Sequence, residues 1–316
     1  IKTFKIAKVD LNDHCIFDLV PHDFLKRYCE VKNRITEHVF ETYDKPANYQ
    51  HLCDVEKLLY KMRYNKLNLS TTDCRHLMLS TLDRNKAQEL VKNHQYIDYN
   101  LFGTVTGRLT TRPGSFPVLT VKKEFRKLLK PYNDLFVALD YNGAEVRTFL
   151  ELSGQDQPNE DIHNWNIKNI YTNIKTRDKA KQRFFAWLYN PNSDDQLTSR
   201  FYDREGILKK HYNGGVILTP FGRTIKSDDF HALNYLLQSS SSDNCLHSTI
   251  KVNKFLKGKV SFVHSVVHDS ITIDMSLSER NMLPQLMELF SDTKLGRFQT
   301  SLQIGPNLKE MEKIEW

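Results

Sequence analysis

No stretch of this chain stays apolar for the roughly 20 residues that a bilayer-spanning helix needs, and Ile1–Asp10 carry no signal-peptide pattern. Membrane spanning and secretion by that route are therefore not expected. Paired cysteines are missing too. The five present, Cys15, Cys29, Cys53, Cys74 and Cys245, are scattered, odd in number and without a Cys-x-x-Cys pair. That argues against a disulfide framework or a zinc site and for a reducing, cytosol-like compartment. Internal repeats are absent, and Ser239–Ser242 is the one stretch of low complexity. The chain begins at isoleucine rather than methionine, which we read as a fragment or processed product with an upstream domain missing.

What remains is an ordinary folded composition. The 316 residues are enough for two or three lobes around a sizeable core, with 40% hydrophobic and 11% aromatic content. A net charge of +7 and a pI near 9.0 make a polyanionic partner plausible. Apolar Val55, Leu58, Leu59 and Met62 recur at helical spacing beside Lys57, Lys61, Arg63 and Lys66. A second helical stretch follows at Leu82–Val91. This basic face is either a solvated surface or an arm that grips a phosphate backbone. From Leu101 to Pro113 the texture is loops and short strands. Leu135–Leu139 reads as a strand ending in Asp140-Tyr141, residues 161–189 as helical with a break near Asn173, and 190–195 as a loop. Val216–Arg223 reads as strand and turn, 230–256 as helix, and Val260–Val267 with Ile271–Met275 as a hairpin around His268-Asp269-Ser270.

Chemistry enters through two acids and one helix. An Asp ending a buried strand and another at a hairpin tip can meet on adjacent strands, although each alone is an ordinary turn residue. Hard cations such as Mg²⁺ take carboxylate oxygens, and a pair of them clamps attacking and leaving oxygens in phosphoryl chemistry. Between the two acids, Arg177, Lys181, Phe185 and Tyr189 stand four apart and form one slowly drifting helical stripe. Two cations followed by two rings match a nucleoside triphosphate lying along the helix. The bland alternative is an amphipathic helix with Phe185, Leu188 and Tyr189 in the core.

In this order the motifs resemble those of family-A DNA polymerases, the bacterial DNA polymerase I and phage replicase group. Asp140-Tyr-Asn-Gly-Ala-Glu145-Val-Arg147 is similar to motif A, Arg177–Tyr189 to motif B and His268-Asp269 to motif C. Thr106-Gly107-Arg108-Leu109, Asp161-Ile162-His163, Gly222-Arg223, Asn234-x-x-x-Gln238 with Asp243, and Gly305-x-x-Leu-x-Glu310 agree in order. The resemblance covers about residues 100–312. It implies an α+β right-hand polymerase fold, with an antiparallel palm sheet and mostly helical fingers and thumb. The divisions expected are an N-terminal segment at 1–29, thumb at 30–98, palm at 99–154 and 229–316, and compact fingers at 155–228.

The same resemblance implies template-directed addition of deoxynucleotides to a primer 3′-hydroxyl, with two Mg²⁺ (Mn²⁺ as substitute) and release of pyrophosphate. Asp140 and Asp269, helped by the Tyr141 carbonyl, would ligate metal. Arg177, Lys181 and His163 would hold the triphosphate, with Lys181 also an acid for pyrophosphate. Phe185 would pack on the sugar, Tyr189 would end the base pocket, and Glu145 would exclude a ribose 2′-hydroxyl. Thr106, Arg108, Asn234, Gln238 and His268 would touch DNA. Implied partners are primer–template DNA, deoxynucleoside triphosphates and an upstream exonuclease or processivity factor. The compartment would be the cytoplasm, of a host cell if the protein is phage-encoded.

Some positions depart from the family pattern. Ser270 follows the motif C aspartate where a glutamate is usual, and Phe230 stands where an arginine usually faces the minor groove. Phe184, Ala186 and Asn190 also differ within motif B. No acidic proofreading constellation appears in residues 1–100. Two rivals are weighed: a single-subunit RNA polymerase, whose motif C often reads His-Asp-Ser, and a catalytically weak accessory protein that binds primer–template.

Overall fold

The computed structural model describes residues 2–7, 9, 11, 14–72, 77 and 79–315, so Cys74 lies outside the described residues. The chain divides into two compact units, 1–50 and 51–316. In the first, helix α1 (His22–Thr42) starts after Pro21 and buries none of its residues. Its exposed Phe24, Tyr28, Val31, Ile35 and Val39 share one stripe at helical spacing.

Helix α2 (Tyr49–Arg63), most of which belongs to the second unit, buries Val55, Leu58, Leu59 and Met62, as their spacing predicts. Helix α3 (Thr81–Asn93) is started by Ser80, whose side chain accepts from the Asp83 amide. The stretch that follows is mostly turns, with Tyr99–Asn100 paired to Thr110–Thr111.

The centre of the unit is a five-stranded sheet. Its strands are β1 (Leu135–Tyr141), β2 (Phe262–Val267), β3 (Ser270–Met275), β4 (Thr300–Gly305) and β5 (Glu312–Ile314), in the order β5-β4-β1-β3-β2. Every neighbouring pair is antiparallel. Strand β1 is central because its apolar residues serve both faces: Phe136, Val137, Leu139 and Tyr141 are all buried. The register sets Ser270 on one side of Asp140 and Ser301 on the other. Small neighbours on both sides keep the space above Asp140 open.

After β1 the chain turns through Gly143, which has φ +67°; a Cβ there would lie 2.7 Å from Ile162 Cγ2. Helix α4 (Ala144–Leu152) follows, then α5 (Ile162–Asn169) and α6 (Arg177–Tyr189), so the expected break near Asn173 is present. Two short helices, α7 (Gln196–Phe201) and α8 (Arg204–His211), lead to a three-stranded sheet within 212–226. Phe149, Phe184, Trp187 and Tyr202 pack edge to face in a second core beneath these helices.

Helix α9 (Ala232–Phe255) is buried on every side over Ser239–Leu246, which is why its sequence shows no apolar stripe there. Ser239–Ser242 lie inside it, and Ser241 and Ser242 bond Thr148 and the Gly107 carbonyl. Helix α10 (Leu283–Ser291) precedes β4. Among the described residues no helix is long and apolar enough to cross a membrane, and Cys15, Cys29, Cys53 and Cys245 are free thiols.

Candidate active site

Pairing of β1 with β3 carries the two acids to one place. The ladder runs to Ser270 opposite Asp140, and beyond it the Tyr141 amide donates to the Asp269 carbonyl at 3.4 Å. His268 and Asp269 form the two-residue turn between β2 and β3. His268 is the sole described non-glycine residue in left-handed conformation, with φ 56°. Such a backbone is strained for a residue with a Cβ, by about 1 kcal/mol, and holds only where its surroundings demand it.

Asp140 and Asp269 line one cavity of about 510 Å³. Among the described residues no cation stands within ion-pair distance of either carboxylate. Burial, and then the charge of Asp269, push the Asp140 carboxyl up to about 7. Burial raises Asp269 likewise. Lys181 opposes the rise in both, and Arg108 and His268 oppose it in Asp269, but two half-buried carboxylates this close still favour a cation between them. The Tyr141 ring is turned into the core, where its hydroxyl donates to the Phe290 carbonyl, so what Tyr141 offers the cavity is backbone.

Helix α6 forms the facing wall. Arg177, Lys181 and Phe185 line the cavity, while Ala180, Phe184, Trp187 and Leu188 fill the core behind. The core reading of this helix holds for Leu188 and in part for Phe185 and Tyr189, which pack half-buried against the second core, but its fully buried aromatics are Phe184 and Trp187. Tyr189 does not line the cavity. Its ring stacks on Phe185 at 5.5 Å and its hydroxyl donates to Glu145.

Glu145 also receives Arg108, so Arg108 and Tyr189 hold it from two sides. Burial raises the Glu145 carboxyl, and Arg108 opposes that rise. His163, buried beside the Phe184 and Phe185 rings, has Nδ1 without a partner, and burial lowers its pKa to about 4. It is therefore neutral at ordinary pH.

The DNA-contact candidates separate. Arg108 and His268 line the cavity. Thr106 is buried and does not line it, and Asn234 and Gln238 bond each other at 2.5 Å, one turn apart on α9. Ser241 and Ser242, further along α9, do reach it. Ser301, Gln303 and Lys313 complete the lining from β4 and β5 and were not singled out in the sequence. Their signal is a period of two on strands too polar to stand out. Arg147 belongs to the motif A stretch, where the sequence gives no sign of its role. It is fully buried and donates to the carbonyls of Asn142, Pro158 and Glu160 and to the side chains of Gln157 and Gln299.

No protein-family model and no curated protein matches this sequence. Solved structures do match in fold. The POL domain of Pol1 from M. smegmatis, in complex with DNA primer-template and dNTP, superposes with a TM-score of 0.56 at 15% sequence identity. The match covers 83% of this chain and 65% of that one, so the chain spans about two thirds of that structure's length. The chain has the fold of a DNA polymerase domain.

Proposed function

We propose that this chain is a template-directed DNA polymerase of the family-A type, which extends a primer 3′-hydroxyl with deoxynucleotides and releases pyrophosphate. The observation that carries this reading is a single cavity lined by two half-buried acids, Asp140 and Asp269, and by the cations Arg177 and Lys181. The donor set fits divalent cations: hard carboxylate oxygens, raised by burial, with no protein cation paired to them among the described residues. Asp140 and Asp269 would hold two Mg²⁺, or Mn²⁺ in their place, beside the Tyr141 carbonyl. Such ions lower the pKa of the attacking hydroxyl and offset phosphate charge.

The chain's own groups supply the rest. Arg177 and Lys181 bind triphosphate oxygens, and neutral His163 adds a hydrogen bond. Lys181 Nζ can pass a proton to the departing pyrophosphate. Phe185 packs on the sugar, with Tyr189 stacked behind it at the end of the base pocket. Glu145, fixed by Arg108 and Tyr189, fills the place of a ribose 2′-hydroxyl. Arg108, His268, Asn234 and Gln238 would meet the primer–template, with the buried Thr106 supporting Arg108 from beneath. The five-stranded sheet is the palm in this reading, 155–228 the fingers and 30–98 the thumb.

Ser270 beside Asp269 is the feature that favours a single-subunit RNA polymerase; Glu145 opposes it. Primer extension with deoxy- or ribonucleotides separates the two. We expect Mg²⁺-dependent use of deoxynucleotides, abolished by Asp140→Ala with primer–template affinity retained. A chain that binds primer–template but never extends it would leave the accessory role standing instead.

A further inference from the structure

We infer that Asp161 is a positioning residue for the nucleotide grip: it orients the Arg177 guanidinium and ties it to the strand end that carries Asp140. This rests on the reading of Arg177 as a phosphate ligand given above.

Asp161 stands where three elements meet. Its carboxylate accepts from the amides of His163 and Asn164 at 3.1 and 3.0 Å, which starts helix α5. It also accepts from Asn142 Nδ2 at 2.7 Å and from Arg177 Nε at 2.9 Å, with Arg177 Nη2 again at 2.9 Å. Burial alone would raise this carboxyl, but Asn142, the Asn164 amide and Arg177 outweigh it and hold it below the usual range. The same contacts favour the anionic form.

Asn142 is two residues beyond Asp140, and its Oδ1 accepts from the Ile162 amide at 3.2 Å. One amide side chain therefore joins the end of β1 to both Asp161 and the first turn of α5. The loop leading to Asp161 is fixed from beneath by Arg147, which holds the Pro158 and Glu160 carbonyls and the Asn142 carbonyl together. A buried guanidinium spent on neutral carbonyl acceptors fixes position rather than balancing charge. Burial indeed lowers its pKa to about 10.

The contact with Arg177 is made along one edge of the guanidinium, through Nε and Nη2. Nε donates to Asp161 Oδ2 with Nη2 against the same oxygen, and the far side of the guanidinium, where Nη1 has only the exposed Asp178 at 3.9 Å, is left for phosphate oxygens. The pair is partly exposed, so its Coulomb energy is small. Its effect is to remove rotamer freedom from a long side chain before the nucleotide arrives, which is how preorganisation raises affinity. A residue serving only as a helix cap would behave differently, because Asn and Ser cap as well as Asp.

That difference supplies the test. Asp161→Asn and Asp161→Ser keep a capping side chain while removing the anion that holds Arg177. Single-turnover extension on a primer–template, with the complementary deoxynucleotide varied, gives an apparent nucleotide affinity and a maximum rate. We expect both variants to weaken the affinity about tenfold while the maximum rate stays within about twofold. Arg177→Ala should also weaken it, and Asp161→Asn added to Arg177→Ala should do no further harm, since the guanidinium it positions is gone. Unchanged or improved affinity in the Asp161 variants, a loss confined to the maximum rate, or full additivity with Arg177→Ala would overturn the inference. If Arg177→Ala itself leaves affinity intact, the phosphate-grip reading fails, and this inference with it.

Discussion

Replacing Asp140 by Asn should stabilise the metal-free protein, and the size of the effect should depend on pH. The folded state raises the Asp140 carboxyl from 3.8 to about 7, through burial and then through Asp269. A carboxyl raised in this way contributes stability that is fully present below its unfolded pKa and is lost as pH rises through the folded one. A rise from 3.8 to about 7 brings the loss to about 4 kcal/mol by pH 8, whereas at pH 5 only about 2 kcal/mol has been lost. Asn keeps the shape and removes the charge. At roughly 2 °C per kcal/mol for a chain of this size, the gain in Tm should be about 8 °C at pH 8 and about half that at pH 5. Thermal unfolding in a chelator, followed by circular dichroism, measures it. Added Mg²⁺ should reverse the order, because it stabilises only the chain that still has both carboxylates. A variant no more stable than the parent in chelator at pH 8, or a gain that does not shrink at pH 5, would refute the reasoning.

Two further perturbations test other parts of the molecule. Glu145→Ala should open the sugar site and reduce discrimination against ribonucleotides by on the order of tenfold or more, read as the ratio of kcat/KM for the two sugars. Asp243→Ala breaks a pair in which Arg223, 12% exposed, donates twice to the fully buried Asp243 carboxylate, at 3.0 and 2.7 Å. Leaving that guanidinium unpaired should cost about 3–5 kcal/mol, visible as a lower denaturant midpoint.

The helices and strands that carry the site were readable because their patterns are short-range. Val55, Leu58, Leu59 and Met62 announce α2 by spacing alone, and Leu135–Leu139 announces β1 by its apolar run. The site was readable where a chemical type recurs at fixed distance, as along Arg177, Lys181 and Phe185. It was unreadable where function depends on what lies opposite. Phe184 and Phe185 are adjacent and chemically identical, yet one fills the core and the other faces the cavity. Only the second core, with Trp187 and Tyr202, decides which. Polar Ser301, Gln303 and Lys313 carry only a period of two, which on an edge hairpin looks like any other surface strand.

For Asp140 and Asp269 the division is clearest. The sequence by itself set the ends of two strands, the two-residue turn and the cationic helix between them, since each follows from local spacing and turn chemistry. Whether the acids would meet depended on β1 and β3 becoming sheet neighbours, with Ser270 opposite Asp140. That pairing joins segments far apart in the chain and is fixed by burial of both sheet faces, which no local pattern encodes. The tertiary structure also decided what surrounds the pair. It set serines at both flanks, kept cations out of ion-pair reach among the described residues, and raised both carboxyls by burial.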